Sequence, residues 1–291
     1  MGGHVRGLVR VMQGLCSAAL GAVRETPDLA VRRTGAGEIV KPHGKFTAEV
    51  VALARAGGHL ETDPAVRNPD SLAGRLLSTP LRIALSPGIR HLLRIAYGRI
   101  VPGMYYYHQA RTRHVDKIVL GLANGELRQF VILGAGLDSR PYRLSEELAT
   151  VRVFEVDHPA TAAFKQQRLA KAALPTSHVK FVTVDFTSES LADRLREAGC
   201  DMSLRTLFLL EGVLYYLPDA TVHEILQVLC AAPRGSSLVF DYVVSDVIAH
   251  PEQYYGASGY LDYVARKGEP VLFGIAPDAV ASFLQPYGYT V

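Results

Sequence analysis

The stretch FVILGAGLDSRPYR at Phe130–Arg143, with FEVDHP at Phe154–Pro159, decides the fold of this 291-residue chain. Phe130–Leu133 is an unbroken apolar run that stops at Gly134-Ala135-Gly136. Such a run reads as a strand buried on both faces, and the glycines as a turn that lets a ligand approach the backbone. The second run ends at Asp157, 23 residues after Gly134. An acid at the end of the next strand is placed to accept hydrogen bonds from a ribose diol. Together the two stretches predict a nucleoside-binding sheet. The structural alternatives are a plain glycine turn and a helix cap ahead of Pro159.

The same rhythm continues along the chain. Strands are predicted at Phe130–Leu133, Val151–Val156, Val179–Val184, Thr206–Leu210 and Ser237–Tyr242, with helices at Ala160–Ala173, Ser188–Ala198 and Ala220–Cys230 between them. This is an α/β chain with a Rossmann-like, doubly wound, mostly parallel sheet, whose right-handed crossovers bring a ligand to the carboxyl ends of the strands. Residues 1–110 read as an N-terminal helical cap and residues 111–291 as the core. Within the core, residues 244–275 are too long and too rich in tyrosine and glycine for a simple connection, so a lid after strand five is expected.

In the cap, helical patterns fall at Lys45–Ala56, Leu72–Ile83 and Ile89–Ile95, the last two separated by Ser86-Pro87-Gly88; Ala110–Ala123 then feeds the first strand. Leu8, Val11, Leu15, Ala18 and Ala22 have helical spacing, which favours an amphipathic packing helix over a signal peptide. Ala276–Pro286 reads as a helix and Tyr287–Val291 as the start of a final strand.

Composition narrows the function. A net charge of +3, without blocks of like charge, gives no argument for nucleic acid or membrane. Cys16, Cys200 and Cys230 have no metal spacing and point to a reducing, cytoplasmic setting. The chain has no HExxH, CxxC or GxSxG pattern, so no metal site and no covalent hydrolase chemistry are expected.

Four further positions carry candidate chemistry. Ser139 stands where a dinucleotide fingerprint has its third glycine, which counts against a nicotinamide cofactor. Asp185-Phe186 ends the third strand, where an acid can receive an adenine amine and an aromatic can face the ring; capping the next helix is the alternative. Glu211 directly follows the strand run Thr206–Leu210, apolar from Leu207 on, so it should face a cleft and a partner. Arg111 either forks onto an amino-acid carboxylate or pairs with a nearby acid such as Asp116. Tyr105–Tyr107, Tyr215, Tyr216, Tyr254, Tyr255, Tyr260 and Tyr263 are candidates for an aromatic pocket, with ordinary packing as the alternative for each.

ARTRHVD, VILGAGLDSRPYRL, FEVDHP, VDF and LLEGVLYYLP, in this order and spacing, resemble the leucine carboxyl methyltransferase-like family of S-adenosylmethionine-dependent methyltransferases. The resemblance runs from about Lys45 to the C-terminus, and the actinobacterial branch with its natural-product O-methyltransferases of secondary metabolism looks closest. It implies S-adenosyl-L-methionine as cofactor. By it, Arg111 holds the methionine carboxylate, Gly134 and Gly136 form the cofactor turn, and Asp157 takes the ribose. Asp185 and Phe186 flank adenine. Glu211 lies by the methionine amine, and Glu211 and Tyr215 lie near the methyl. Family members usually continue past Tyr287 into a closing antiparallel strand, so an incomplete sheet edge is expected at Val291.

The expected reaction is O-methylation of a small-molecule or peptide carboxylate, which is ionised at neutral pH and needs no general base. A phenolic or alcoholic hydroxyl is the alternative and would need one, with His250 or a lid tyrosine as candidates. An NAD(P)-dependent oxidoreductase and a non-catalytic relative are the other readings. Oligomeric state is not legible, since no heptad or exposed apolar strip marks an interface.

Overall fold

The computed structural model describes residues 10–12 and 45–291. Six strands form one sheet: β1 (Arg10–Met12), β2 (Gln129–Leu133), β3 (Arg152–Asp157), β4 (Val179–Thr183), β5 (Thr206–Leu210) and β6 (Ser237–Asp241). Their order is β1-β6-β5-β2-β3-β4 and every pairing is parallel. β2 is central. Phe130 pairs with Val153 on one side and Leu207 on the other. The order reverses between β2 and its neighbours β3 and β5, which opens a crevice at their carboxyl ends.

The central strands β2, β5 and β6 are buried along their length and mostly apolar because both faces are covered. Val131, Leu133, Phe154, Val156, Phe208 and Leu210 face one apolar cluster. Phe130, Ile132, Val153, Leu207 and Leu209 face the other. This is the two-residue alternation of a strand with helices on both sides. Each such side chain, fully buried, contributes about 1.5–3 kcal/mol.

Before β2 lie α1 (Lys45–His59), α2 (Ala73–Leu76), α3 (Thr79–Ile83), α4 (Pro87–Ile100) and α5 (Met104–Ala123). Among the elements after β2 are α6 (Arg140–Arg143), α7 (Pro159–Lys171), α8 (Leu191–Glu197) and α9 (Asp219–Leu229). After β6 come β7 (Val243–Val244), α10 (Ser245–Ala249), α11 (Ala257–Arg266), β8 (Gly274–Ile275) and α12 (Val280–Leu284), with β7 and β8 pairing in parallel. Among the described residues no helix is long and apolar enough to cross a membrane.

Several elements differ from expectation. Two helices are separated near Ser86-Pro87-Gly88, as expected, but the gap falls at residues 84–86 and the second helix starts at Pro87, not Ile89: Pro87 occupies the first turn of α4, where its missing N–H is harmless and its fixed φ suits a helix. The Ala110–Ala123 helix begins earlier, at Met104, after Gly103 in the left-handed conformation (φ 77°), and so takes in Tyr105–Tyr107. α8 starts at Leu191 with Ser190 as its cap. The expected N-terminal helix meets a short strand at Arg10–Met12, paired with β6; its remaining residues, and Cys16, lie outside the described residues. No strand forms over residues 287–291. Gln285–Tyr287 is a 3-10 turn ended by Gly288 (φ 74°), and Tyr287 and Tyr289 pack on the apolar cluster instead.

Candidate functional site

A cavity of about 660 Å³ opens at the carboxyl ends of the strands. Arg111, Gly134, Gly136, Asp157, Asp185, Phe186, Glu211 and Tyr215 all line it. One end is built from charges and the other from aromatic side chains.

At the glycine turn, Gly134 (φ 68°) and Gly136 (φ 45°) both take left-handed backbone. A Cβ on Gly134 would lie 2.3 Å from Cγ2 of Val213, so that glycine is also required by packing. Asp157, at the end of β3, ties the turn down. Its Oδ2 accepts from the Gly136 N–H at 2.6 Å and its Oδ1 from the His158 N–H at 2.7 Å. The cap of α7 is His158 itself, whose Nδ1 accepts from the Ala160 N–H. Burial raises the Asp157 carboxyl to about 6, against the pull of those two N–H groups and Lys165.

Beneath the turn, Lys165 donates to Glu155 Oε1 at 2.8 Å and Tyr142 donates to Oε2 at 3.1 Å. Burial pushes Glu155 up to about 7 despite that lysine. At the end of β4, Asp185 Oδ1 accepts from the backbone N–H and the hydroxyl of Thr187, at 2.9 and 2.6 Å. Asp185 therefore closes a turn rather than capping α8, and Phe186 packs beside it on the core.

The charged end centres on Arg111 and Glu211. Arg111 Nε lies 3.1 Å from Glu211 Oε1, and Nη1 donates to Asp241 Oδ2 at 2.6 Å. Asp116 is not its partner; that acid receives Arg140 Nε at 2.8 Å and Arg143 Nη2 at 2.5 Å. Glu211 thus meets the partner its position demanded, and a second one: its Oε2 lies 2.9 Å from Arg140 Nη1. Burial would raise Glu211, but Arg111 and Arg140 outweigh it and hold the carboxyl below its ordinary value. Asp138 is likewise kept ionised by Arg140, which donates to it at 2.6 Å, against the effect of burial. Ser139, on the far side, donates to Asp70 at 2.5 Å and accepts from Arg143 at 3.1 Å.

Sequence reasoning missed Asp241, Arg140, His108 and Tyr97, and Tyr107, expected in an aromatic pocket, donates to Asp241 instead. Asp241 ends β6 as Glu211 follows β5, and it is held by three donors: Arg111, Tyr107 Oη at 2.8 Å and the Gly212 N–H at 2.6 Å. The signal was the acid in SLVFDY, read as strand interior. Arg113 turns outward and donates to the carbonyls of Pro64 and Ala65.

At the aromatic end, Tyr97, Tyr215, Tyr216, Tyr260 and Tyr263 line the cavity with Val50, Val51 and Leu272. Tyr216 and Tyr260 share a hydrogen bond at 3.3 Å. Glu269 lines it too and accepts from Thr47 Oγ1. Five candidate tyrosines lie elsewhere, Tyr107 among them on Asp241. Tyr105 bonds Glu61 at 2.6 Å, Tyr106 is exposed, Tyr254 bonds Asp246 at 2.5 Å, and Tyr255 does not line the cavity. His250, a candidate base, is about half exposed beside Asp246 and Glu252 and does not line the cavity; the turn after α10 carries it outward.

A family model described as leucine carboxyl methyltransferase matches residues 48–230. A protein of Mycobacterium sp. (strain JLS), named "Putative S-adenosyl-L-methionine-dependent methyltransferase", is 34% identical over 228 residues, covering 71% of this chain and 69% of its own. YktD of Bacillus subtilis (strain 168), named in the same way, is 34% identical over 164 residues, covering 56% of this chain and 54% of its own. Among solved structures, an O-methyltransferase family protein from Burkholderia thailandensis aligns with a TM-score of 0.44 at 12% identity, over 84% of this chain and 78% of that one.

Proposed function

The chain belongs to the leucine carboxyl methyltransferase family, and from that premise we propose that it binds S-adenosyl-L-methionine and methylates a carboxylate of a small molecule or peptide. The cavity residues fit that cofactor. Arg111 Nη1 and Nη2 each carry a second hydrogen for an amino-acid carboxylate. Glu211 Oε2, although close to Arg140, has no aligned hydrogen bond and retains capacity for an ammonium donor. Asp157 offers an acceptor for the ribose diol, and Phe186 a face for adenine. When bound, S-adenosyl-L-methionine supplies an electrophilic sulfonium methyl. The chain's own residues align the acceptor, keep water out and hold the charges in place. The segment over residues 244–275 serves as the lid.

The choice of a carboxylate rests on the protonation states at the aromatic end. Burial pushes the Tyr215, Tyr216 and Tyr260 phenols up, so they stay protonated and are poor bases. Burial and the charges of Arg111 and Arg55 push His108 well down, so it is neutral, and both its nitrogens are engaged. An acceptor that is already ionised suits such a site. A second reading, transfer to a phenolic hydroxyl, has Glu269 in its favour as the carboxylate base at the cavity wall.

Calorimetric titration with S-adenosylhomocysteine, with NADH as control, tests the cofactor. Micromolar binding of the first alone is expected, and binding of NADH alone would refute the reading. Turnover of carboxylate and phenol panels by Glu269→Gln separates the acceptors: carboxylate methylation survives the change, whereas phenol methylation is lost.

A further inference from the structure

Tyr97 is a wall residue of the cavity that the proposed reaction has not used. It sits on α4, and its Oη lies 3.1 Å from His108 Nε2 on α5. On the same face of α5, one turn on, Arg111 Nη2 lies 3.4 Å from His108 Nδ1. The chemistry of the three groups fixes the direction of the bonds. A guanidinium has only hydrogens to offer. His108 is buried between that cation and Tyr97, so Nδ1 must accept and the single ring hydrogen must sit on Nε2. The opposite tautomer would set an N–H against an N–H. Nε2 therefore donates to Tyr97 Oη, which leaves the phenolic hydrogen to point away from His108, and Tyr97 is itself a lining residue of the cavity. Burial and the neighbouring arginines keep the imidazole neutral, so this chain of bonds persists across the physiological pH range.

We propose that Tyr97 is a specificity-determining residue: it presents its phenolic hydrogen to the methyl acceptor and selects acceptors with an anionic oxygen at that point. His108 and Arg111 act as positioning residues that set the direction of the hydroxyl. One oxygen of an acceptor carboxylate is held by Tyr97 while the other stays free for the methyl. The apolar and aromatic residues that line the same cavity, Tyr260, Val50 and Leu272 among them, suit an aromatic or aliphatic body behind that carboxylate. This rests on the reading of the cavity as a joint site for S-adenosyl-L-methionine and acceptor.

The test titrates the S-adenosylhomocysteine-loaded protein with benzoate and with nitrobenzene, its uncharged isostere. Wild type should prefer benzoate. Tyr97→Phe should lose about tenfold in benzoate affinity, the scale of one hydrogen bond to a charged group, with nitrobenzene and S-adenosylhomocysteine affinities unchanged. His108→Leu, which frees the hydroxyl to rotate, should lose about threefold for benzoate alone. Unchanged benzoate binding in Tyr97→Phe overturns the proposal, as does an equal loss for both probes, which marks a packing role. A wild-type complex with no preference for benzoate also overturns it. A wild-type protein that does not bind S-adenosylhomocysteine overturns the cofactor reading, and this proposal with it.

Discussion

Arg111→Met separates a charge held for the fold from one held for a ligand. In wild type the guanidinium lies between Glu211, 3.1 Å away, and Asp241, 2.6 Å away, all three buried. Removing it strands two carboxylates. Glu211 keeps Arg140 at 2.9 Å, and Asp241 keeps only the uncharged donors Tyr107 and Gly212. Breaking a buried ion pair from one side costs about 3–5 kcal/mol. At roughly 2 °C per kcal/mol for a chain of this size, the unfolding midpoint should fall by about 6–10 °C. Asp241→Asn added to Arg111→Met removes the worse-stranded charge, and the pair should be more stable than the sum of the singles by about 1–3 kcal/mol. The sign with pH follows. A stranded carboxylate has a raised folded-state pKa, so its penalty is present at high pH and relieved as pH falls towards that pKa. The deficit of Arg111→Met against wild type should therefore narrow from pH 8 to pH 5. Thermal or urea unfolding of the four proteins at both pH values is the assay. Strict additivity, or a deficit that widens on acidification, would refute the reasoning. Activity alone cannot make this distinction, because cofactor binding is expected to fail in both Arg111 variants.

Other outcomes follow from single contacts. The Asp157 carboxyl, raised to about 6, should make S-adenosylhomocysteine affinity fall as pH drops through 6 and stay level above 7, as read by calorimetry. In the ligand-free protein the same raised pKa contributes stability that is full below the ordinary carboxylate value and lost as pH rises through 6. Its unfolding midpoint relative to Asp157→Asn should therefore decline between pH 5 and pH 7. Ser139→Gly, which restores the third glycine of a dinucleotide fingerprint, should lose about 1–3 kcal/mol by removing the hydroxyl that bridges Asp70 and Arg143, although both keep other partners, and should gain no NADH binding. Gly134→Ala should destabilise by about 2 kcal/mol or more. Adding Val213→Ala should recover the steric part but leave the left-handed backbone penalty of about 1 kcal/mol, so full recovery in a melting curve would contradict the observed φ of 68°.

The sheet was legible because β2, β3, β5 and β6 are runs whose only physical home is between two helical layers. Glu211 was legible by the same logic: a carboxylate following five buried residues has to find cations. Asp241 obeys that rule one strand later, yet Tyr242 follows it and the run looked like strand interior. The arginine partners were out of reach, since Arg111 meets Asp241, and Tyr97 meets His108, only through the packing of α4 and α5 on each other and on the sheet. Local signals also misled. Pro87 read as part of the gap between two helices and is the start of the second, while Tyr287–Val291 looked like a strand and packs as a turn. His250 looked chemically useful and faces outward, because sequence shows which residues a loop carries but not where it points.

The floor of the cavity comes from residues 111–241, whereas its aromatic rim joins Thr47 and Tyr97 from one end of the chain to Tyr260 and Glu269 from the other. The two halves of the rim touch closely: a Cβ on Gly256, at the start of α11, would lie 2.9 Å from Cδ of Pro102, next to α4. Divergence is thereby partitioned. Descendants of this scaffold can exchange acceptors without disturbing the arginine–acid floor, but a side chain at position 256 would have to overcome both Pro102 and a left-handed backbone (φ 74°) that favours glycine. Libraries that randomise only one half of the rim should therefore yield mostly unaltered variants, and new acceptor ranges should arise from paired changes in both halves.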